Sequence, residues 1–273
     1  MPRAIVYQTA RNHPKTQRIM SPVAQGLEQC GYQVRIRDSW SYPEGKEERA
    51  DLLAIWGDFH GTQHIFADRE KFKQLIHIDN AYIGRGHYQG YYSVSFNAKQ
   101  ATHYLWDGPL PDNSRWKALG EKIRPWQKDG TDILVLGLSR KQCQNLGFDY
   151  PQWNKDLLEK ARAKSGRRCV LREKRYDRLN EPLRDVLRKG SWYAVVGYNT
   201  KGFIEALLEG IPVYALGKCA CYALALSSLD QLQERFFSPK REEFFQRLAW
   251  HQWKRSEIAT GAPFRHLSQE VAA

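Results

Sequence analysis

The sequence predicts an α/β protein made of two Rossmann-like domains facing a cleft. Three observations carry that expectation. Short apolar runs alternate with helical stretches along most of the chain, the pattern of parallel strands joined by crossover helices. The alternation lapses between Trp106 and Gly130, where Pro109, Pro111 and Pro125 fall among scattered charges, and restarts with a strong strand at Ile133. The 273 residues are long for one domain and sufficient for two of modest size. The expected division is 1–128 and 129–273.

Taken in order, Ala4 to Tyr7 is strand-like, and Thr16 to Cys30 has helical spacing with Ile19, Val23 and Leu27 on one face. Gly31 stands where a helix-ending glycine belongs. Val34 to Ile36, Leu52 to Trp56 and Leu75 to Ile78 read as the next strands. A short helix is expected near Lys117 to Ile123 in the connection. The second half continues with a strand at Ile133 to Leu138, a helix at Trp153 to Ala163 and a strand at Cys169 to Leu171. A helix at Leu183 to Leu187 and a strand at Tyr193 to Val196 follow, then a helix at Gly202 to Leu208 and a strand at Val213 to Leu216. Arg241 to Ile258 is amphipathic and Trp-rich, and predicts one closing helix that packs back across the molecule.

Charge and cysteine usage narrow the function classes. Lys and Arg number 42 against 30 Asp and Glu, a net charge of +12 that favours encounter with nucleic acid, anionic glycan or nucleotide. Five cysteines without regular spacing argue against a disulfide framework, and Cys219-Ala-Cys221 lacks the second ligand pair of a zinc site. All five are expected as reduced thiols. No apolar run reaches the roughly 18 residues of a membrane span, and the N-terminus lacks the pattern of a secretory signal, so the expected location is cytoplasmic. The G-x-G-x-x-G fingerprint is missing after the first strand of either half, which disfavours dinucleotide oxidoreduction.

The most informative segment runs from Tyr193 to Tyr214. A buried strand leads into Gly197 and then Asn199-Thr200-Lys201-Gly202, where a helix opens that ends at Gly210. Free N–H groups at such an opening suit a diphosphate. Thr200 is placed to cap the helix and meet a phosphate oxygen, Lys201 adds charge, and Gly202 is expected to let a ligand approach the backbone. Glu205, one turn in, is placed to accept ribose or sugar hydroxyls. The plain alternative is an ordinary strand–turn–helix with a Thr cap.

The segment Asn199-Thr200-x-Gly202-x-x-Glu205-Ala206-Leu207-x-x-Gly210-x-Pro212-Val213 resembles the donor-site motif of capsule-type Kdo transferases. It is similar also to a wider, phage-rich family of GT-B-like proteins. Val170-Leu-Arg172-Glu-Lys174 resembles their strand ending in Arg-x-Lys, whose cations face the same phosphates. Leu248-Ala-Trp250-His-Gln252-Trp253 with Glu257, Ile258 and Gly261 resembles the phage-type closing helix, and Ile78-Asp79-Asn80-Ala-Tyr82 with Tyr91 to Asn97 has counterparts there too. These pieces span Leu75 to Leu267. The chain departs from the pattern at Lys201 and at Gly217-Lys-Cys219, and lacks the Pro often found within Arg-x-Lys, so donor identity does not carry over. The resemblance implies a glycosyltransferase of GT-B type, with the acceptor in 1–128 and the nucleotide-sugar in 129–273.

On that reading Ser139 and Arg140, at the end of the first strand of the second half, join the donor site; a helix cap and a surface Arg are the plain alternative. In the first half Asp79 ends a strand and is the preferred general base for the acceptor hydroxyl, with Asp58 second. Arg85 and His87 lie in the Gly-rich loop Gly84-Arg-Gly-His-Tyr-Gln-Gly90, and with Tyr82 and Tyr91 they are expected to hold the acceptor. Tyr92 and Trp56 are further stacking candidates. Asp-x-Asp is absent from the chain, so cations and N–H groups are expected to steady the leaving group without a metal. No cofactor is expected beyond the nucleotide-sugar as co-substrate.

The charge, with Arg3, Arg11, Lys15, Arg18, Arg35 and Arg37 in the first half, and the phage-type resemblance make DNA the expected acceptor. The group modified would be a 5-hydroxymethylated pyrimidine, such as 5-hydroxymethylcytosine, flipped from the duplex. Expression in a host cytoplasm would follow for a bacteriophage enzyme. A surface polysaccharide or lipid-linked glycan is the alternative acceptor, and a nonenzymatic nucleic-acid-binding protein on the same fold is the alternative class.

Overall fold

Strands covered on both faces need apolar residues at every position, and this chain supplies them. Leu52–Trp56 is buried throughout, as is Trp192–Gly197. In the computed structural model the elements run in chain order as β1 (Arg3–Gln8), α1 (Pro14–Gln29), β2 (Gln33–Asp38), β3 (Leu52–Trp56), α2 (His60–Ala67), β4 (Gln74–Asn80) and β5 (Tyr91–Phe96). Then come α3 (Ser114–Leu119), β6 (Asp132–Leu136), α4 (Arg140–Leu146), α5 (Gln152–Ser165), β7 (Cys169–Arg172), α6 (Leu183–Lys189), β8 (Trp192–Gly197), α7 (Gly202–Leu208) and β9 (Val213–Ala215). The chain closes with α8 (Arg241–Ala249), β10 (Gln252–Lys254), α9 (Arg255–Ala259) and α10 (Ala262–Ala272). The structure describes all residues except 9–13, 43–49, 59, 84–89, 101–105, 107, 174–180 and 273.

Two compact units result. One comprises Met1–Arg115 with Gln246–Ala273, the other Trp116–Phe245. The first carries a six-stranded sheet in the order β10-β5-β4-β3-β1-β2. β1 to β4 are mutually parallel, β5 is antiparallel to β4, and β10 is antiparallel to β5. Ile5, Tyr7, Leu53, Ile55, Ile65 and Leu75 form a core under it. The second unit carries a fully parallel sheet in the order β7-β6-β8-β9, packed on Leu157 and Ala161 of α5 among others. These are two Rossmann-like sheets.

The expected strands and most expected helices are present, with their ends moved by at most two residues. Gly31 ends α1 in the left-handed region, at φ +84°. Two expectations differ from the structure. The short helix of the connection starts earlier, at Ser114. The expected closing helix is broken into α8, β10 and α9, and from Gln246 onward the chain belongs to the first unit rather than to 129–273. Backbone pairing explains the break. Trp253 lies opposite Tyr92 in β5, so the residues after Ala249 leave the helix to extend the sheet.

Arg115 and Gly26 hold this returning segment. The guanidinium of Arg115 lies 3.8 Å from the centre of the Trp253 ring and donates to both Glu257 oxygens, at 2.8 and 3.1 Å. It donates also to the carbonyls of Ala249 (3.2 Å) and Gln252 (2.8 Å). In α1, a Cβ on Gly26 would stand 2.0 Å from the Ile258 carbonyl oxygen and 2.8 Å from the Phe264 ring. α9 therefore lies directly on the α1 backbone. Gly26→Ala should cost about 1–3 kcal/mol, the scale of overpacking. A denaturant midpoint in Gly26→Ala equal to that of the parent chain would contradict this close packing.

Candidate functional site

The strand order of the second unit fixes where a ligand can sit. β6 is followed by β7 on one side and β8 on the other, so the chain reverses direction across β6. Loops leaving the carboxyl ends of strands diverge at such a point, and the crevice between them takes ligands. Leu136 at the end of β6 is flanked by Arg172 and Gly197 in register. The sheet thus brings to one edge the residues that follow all three strands: Ser139 and Arg140, Arg172, and Asn199, Thr200 and Lys201. Lys174 lies outside the described residues.

Their side chains are not equally available. Ser139 is buried, and its hydroxyl accepts from the Gln142 N–H at 3.3 Å in a capping box that starts α4. It is spent on the helix, as the plain alternative had it. Arg140 is exposed, with its guanidinium 5.7 Å from the Tyr150 ring centre. Arg172 donates to the Glu181 carbonyl. Thr200 is half-buried and its hydroxyl accepts from the Gly202 N–H at 3.1 Å, a local turn that opens α7. Asn199, Lys201 and Glu205 are half-buried.

Gly202 has a different role from the one expected. A Cβ there would stand 2.9 Å from both Leu136 and Leu183 side chains. The glycine admits these leucines, so the space over its backbone belongs to the core and not to a ligand.

Several residues that sequence reasoning passed over hold this edge together. Asn154 is buried in α5, accepts from the Leu138 N–H at 2.8 Å and donates to the Leu138 carbonyl at 3.0 Å. It also donates to Glu173 Oε1 at 2.9 Å, and the Tyr150 hydroxyl donates to the same oxygen at 3.2 Å. Burial and the Glu173 carboxylate hold the Tyr150 phenol above its usual range, so it stays a donor. Phe148 and Trp153 stack 4.0 Å apart with the Tyr198 ring edge-on to both. The available signal was an Asn inside an otherwise amphipathic helix, which is weak.

Behind α7, Glu209 is 1% exposed and receives three guanidinium groups: Arg184 at 2.6 Å, Arg124 at 2.9 Å and Arg188 at 3.1 Å. Arg184 forks onto Glu121 as well, at 2.7 and 2.9 Å. The backbone of the 121–127 stretch joins in, Arg124 N–H to Leu208 and Gln127 N–H to Gly210, both at 2.8 Å.

In the first unit the same logic places the acceptor candidates. β3 and β4 are adjacent and parallel, with Trp56 opposite Ile78. Asp58 and Asp79 therefore follow neighbouring carboxyl ends. Asp58 is ion-paired with Lys99 at 2.9 Å. Asp79 is half-buried, and its Oδ1 accepts from the Asn80 N–H at 2.7 Å. His77, one turn of the pleat earlier, is buried with Nε2 3.2 Å from the Gly57 carbonyl and so steadies the turn that carries Asp58.

Tyr82 is a correction. Its ring is 0% exposed, a core position that leaves no face for an acceptor, and Trp56 at 4% is enclosed as well. The Tyr82 and Ile83 N–H groups donate to the buried Gln252 side chain at 3.1 and 3.0 Å, so β10 fixes this loop. Tyr91 is half-buried beneath the Lys254 ammonium, 5.4 Å from its ring centre. Arg85 and His87 lie outside the described residues, as does Arg11. Arg3, Arg18, Arg35 and Arg37 are exposed. All five cysteines are free, and among the described residues no three His, Cys, Asp or Glu side chains are grouped to hold a metal.

No protein-family model matches the chain, and no curated protein matches it in sequence. Solved structures do. The Thermosulfurimonas dismutans KpsC structure described as a beta Kdo 2,4 transferase aligns over 97% of this chain and 97% of its own, at 14% identity and a TM-score of 0.54. A second structure from that organism, KpsC as a beta Kdo 2,7 transferase, aligns over 97% and 99% at 14% identity and a TM-score of 0.51. The likeness is one of fold and covers nearly the whole chain.

Burial raises the Glu209 carboxyl, and hydrogen bonds from Arg188 and Arg184 more than offset this, so its net shift is downward. A lowered folded value stabilises above the ordinary glutamate range, about 4.3, and that stability is lost as pH falls through the folded value. Glu209→Gln should cost about 3–5 kcal/mol at neutral pH, the scale of a broken buried pair, and should flatten the acid limb of stability. Denaturant titrations of parent and variant at pH 7 and pH 4 check both; parallel losses on acidification would exclude Glu209 as their source.

Proposed function

We propose that this chain is a glycosyltransferase that moves a sugar from a nucleotide-sugar to a hydroxyl acceptor. One observation carries the reading: residues of the motif that resembles the Kdo-transferase donor site follow the strands flanking the switch point of the second sheet, in a chain whose whole fold aligns with Kdo transferases. The guanidinium groups of Arg140 and Arg172, with Thr200 and Lys201, would meet the phosphate and offset charge on the leaving nucleotide. Lys174 joins them by sequence. Asp79 is the favoured base that takes the acceptor proton, because the Asp58 charge is already countered by Lys99.

The acceptor we favour is a surface polysaccharide or other glycan, since two structures that align over nearly the whole chain are described as Kdo transferases. The exposed Arg3, Arg18, Arg35 and Arg37 favour DNA carrying hydroxymethylated pyrimidines as the second reading, and charge is its support. No helix among the described residues is long and apolar enough to cross a membrane. Incubation with a panel of nucleotide-sugars, offering glycan acceptors in one arm and hydroxymethylated duplex in the other, decides between the two by mass analysis of the products.

Arg172→Ala should weaken nucleotide binding about ten- to hundredfold, as loss of a charge-assisted hydrogen bond does. Asp79→Asn should keep that binding and lose roughly 10²–10⁴-fold in turnover. Calorimetry and initial rates separate the two; normal turnover in Asp79→Asn passes the role to Asp58. Turnover should also persist in excess chelator, and its abolition there with recovery on adding magnesium would refute metal independence.

A further inference from the structure

β2 is the outermost strand of the six-stranded sheet, with β1 on its one paired side. Register fixes which of its backbone groups face outward. The Gln33 N–H donates to the Pro2 carbonyl at 2.8 Å, so Gln33 turns its backbone groups toward β1. By the alternation of the ladder Arg35 and Arg37 do the same. The N–H and C=O groups of Val34 and Ile36 therefore point away from the sheet, and among the described residues nothing pairs with them. Side chains alternate between the two faces. Arg35 and Arg37 stand opposite Ile5 and Tyr7, on the face of the core that those residues form, and Ile36 stands on the other face. Ile36 is 53% exposed, and Trp40, beyond the strand end, is 61% exposed. The turn that carries Trp40 is fixed: Asp38 Oδ1 accepts from the Trp40 N–H at 3.0 Å, and the Ser41 hydroxyl donates to the Asp38 carbonyl at 2.6 Å.

Charged residues on an edge strand ordinarily bar unwanted pairing. Arg35 and Arg37 do so against a second copy of the chain. An antiparallel copy centred on Ile36 would set Arg35 opposite Arg37, and like charges directly opposite destabilise. They do not bar an acidic strand, and covering Ile36 and Trp40 would remove apolar surface from water. A DNA duplex would meet the arginines but would give the outward groups of Val34 and Ile36 no strand to pair with. We propose that the β2 edge binds an extended segment of a partner protein in which acidic residues alternate with apolar ones. The segment adds a strand to the sheet. Its backbone pairs with Val34 and Ile36, its carboxylates face Arg35 and Arg37, and its apolar residues cover Ile36, with Trp40 flanking one end. The surface lies in the first unit and is independent of the donor reading.

Synthetic peptides test this on the full-length chain by fluorescence anisotropy at physiological salt. The probe is a ten-residue peptide alternating Glu and Val. One control holds the same residues in two blocks, a second has Lys in place of Glu, and a DNA duplex is the third. The parent should bind the alternating acidic peptide about tenfold more tightly than the basic one and about threefold more tightly than the block peptide, the scale of a few cross-strand pairs. Arg35→Glu should bring the acidic-to-basic ratio to within about threefold. Ile36→Pro removes an outward N–H and leaves the β1 ladder its donors, so it should weaken the acidic peptide about three- to tenfold. If that variant does not fold, Arg35→Glu, at an exposed side chain, serves alone. No binding of the acidic peptide, a parent ratio near one, or a ratio that Arg35→Glu leaves unchanged overturns the proposal. So does equal binding of the alternating and block peptides, which would leave charge without strand pairing. DNA bound in preference to the acidic peptide and lost in Arg35→Glu would make the edge a nucleic-acid surface, and a parent dimer that Ile36→Pro dissolves would make a second copy the occupant; either overturns it.

Discussion

A single enclosed carboxylate sets the geometry behind the carboxyl edge of the second sheet. Glu209 closes the turn after α7 and gathers Arg184 and Arg188 from α6 with Arg124 from the stretch that precedes β6. Burying one charge is costly, and three guanidinium groups with fixed forks compensate it only if all their backbones are in place. The requirement is mutual. Arg241, buried in α8, donates to the carbonyls of Leu207 and Arg124 at 3.2 and 2.7 Å and lies 3.7 Å from the Trp126 ring centre, clamping the same seam from outside. Gly210 completes it, since a Cβ there would stand 2.0 Å from the Pro125 carbonyl oxygen. The loop from Asn199 to Gly202 is presented by a helix whose far end is pinned in this way.

Much of the fold was legible because hydrophobic pattern and strand length report it directly. Leu52–Trp56 and Gly202–Leu208 lie where their sequences place them. The exceptions have a common cause. β5 and β10 pair with each other across the 155 residues between Phe96 and Gln252, and a three-residue strand such as Gln252–Lys254 has no period of its own to read. Its amphipathic flanks, α8 and α9, continue a helical pattern straight through it, so one helix was the natural expectation. Tertiary pairing decided otherwise.

The candidate site was legible in outline and less so in its chemistry. Strand ends could be located, so the sequence put Asp79, Arg140, Arg172 and Thr200 at or just beyond carboxyl ends of strands, where the fold has them. Whether a polar side chain faces a ligand or its own backbone is not encoded in a short window. Ser139 and Gly202 illustrate the limit: one is consumed by a capping box, the other makes room for two leucines. Asn154 and Gln252 went unread because their partners, Leu138 and the Tyr82–Ile83 backbone, lie 16 and about 170 positions away. Such residues fix distant stretches of backbone, and only the folded chain shows which they are.

The return of the chain to the first sheet bears on biosynthesis. Trp116–Phe245 is an insertion within the other unit, and its two ends meet, with the Trp116 and Phe245 rings 5.3 Å apart. During synthesis on a ribosome this inserted unit is complete while the first still lacks β10, the Arg115 partners and the helix that lies on Gly26. The edge of β5 has to wait unpaired until Gln252–Lys254 emerges, since folding units mature in the order in which their last strand leaves the tunnel. An exposed strand edge is a template for the wrong partner. A nascent-chain chaperone would therefore find its client surface on β5, in the part of the molecule that is synthesised early and finished late.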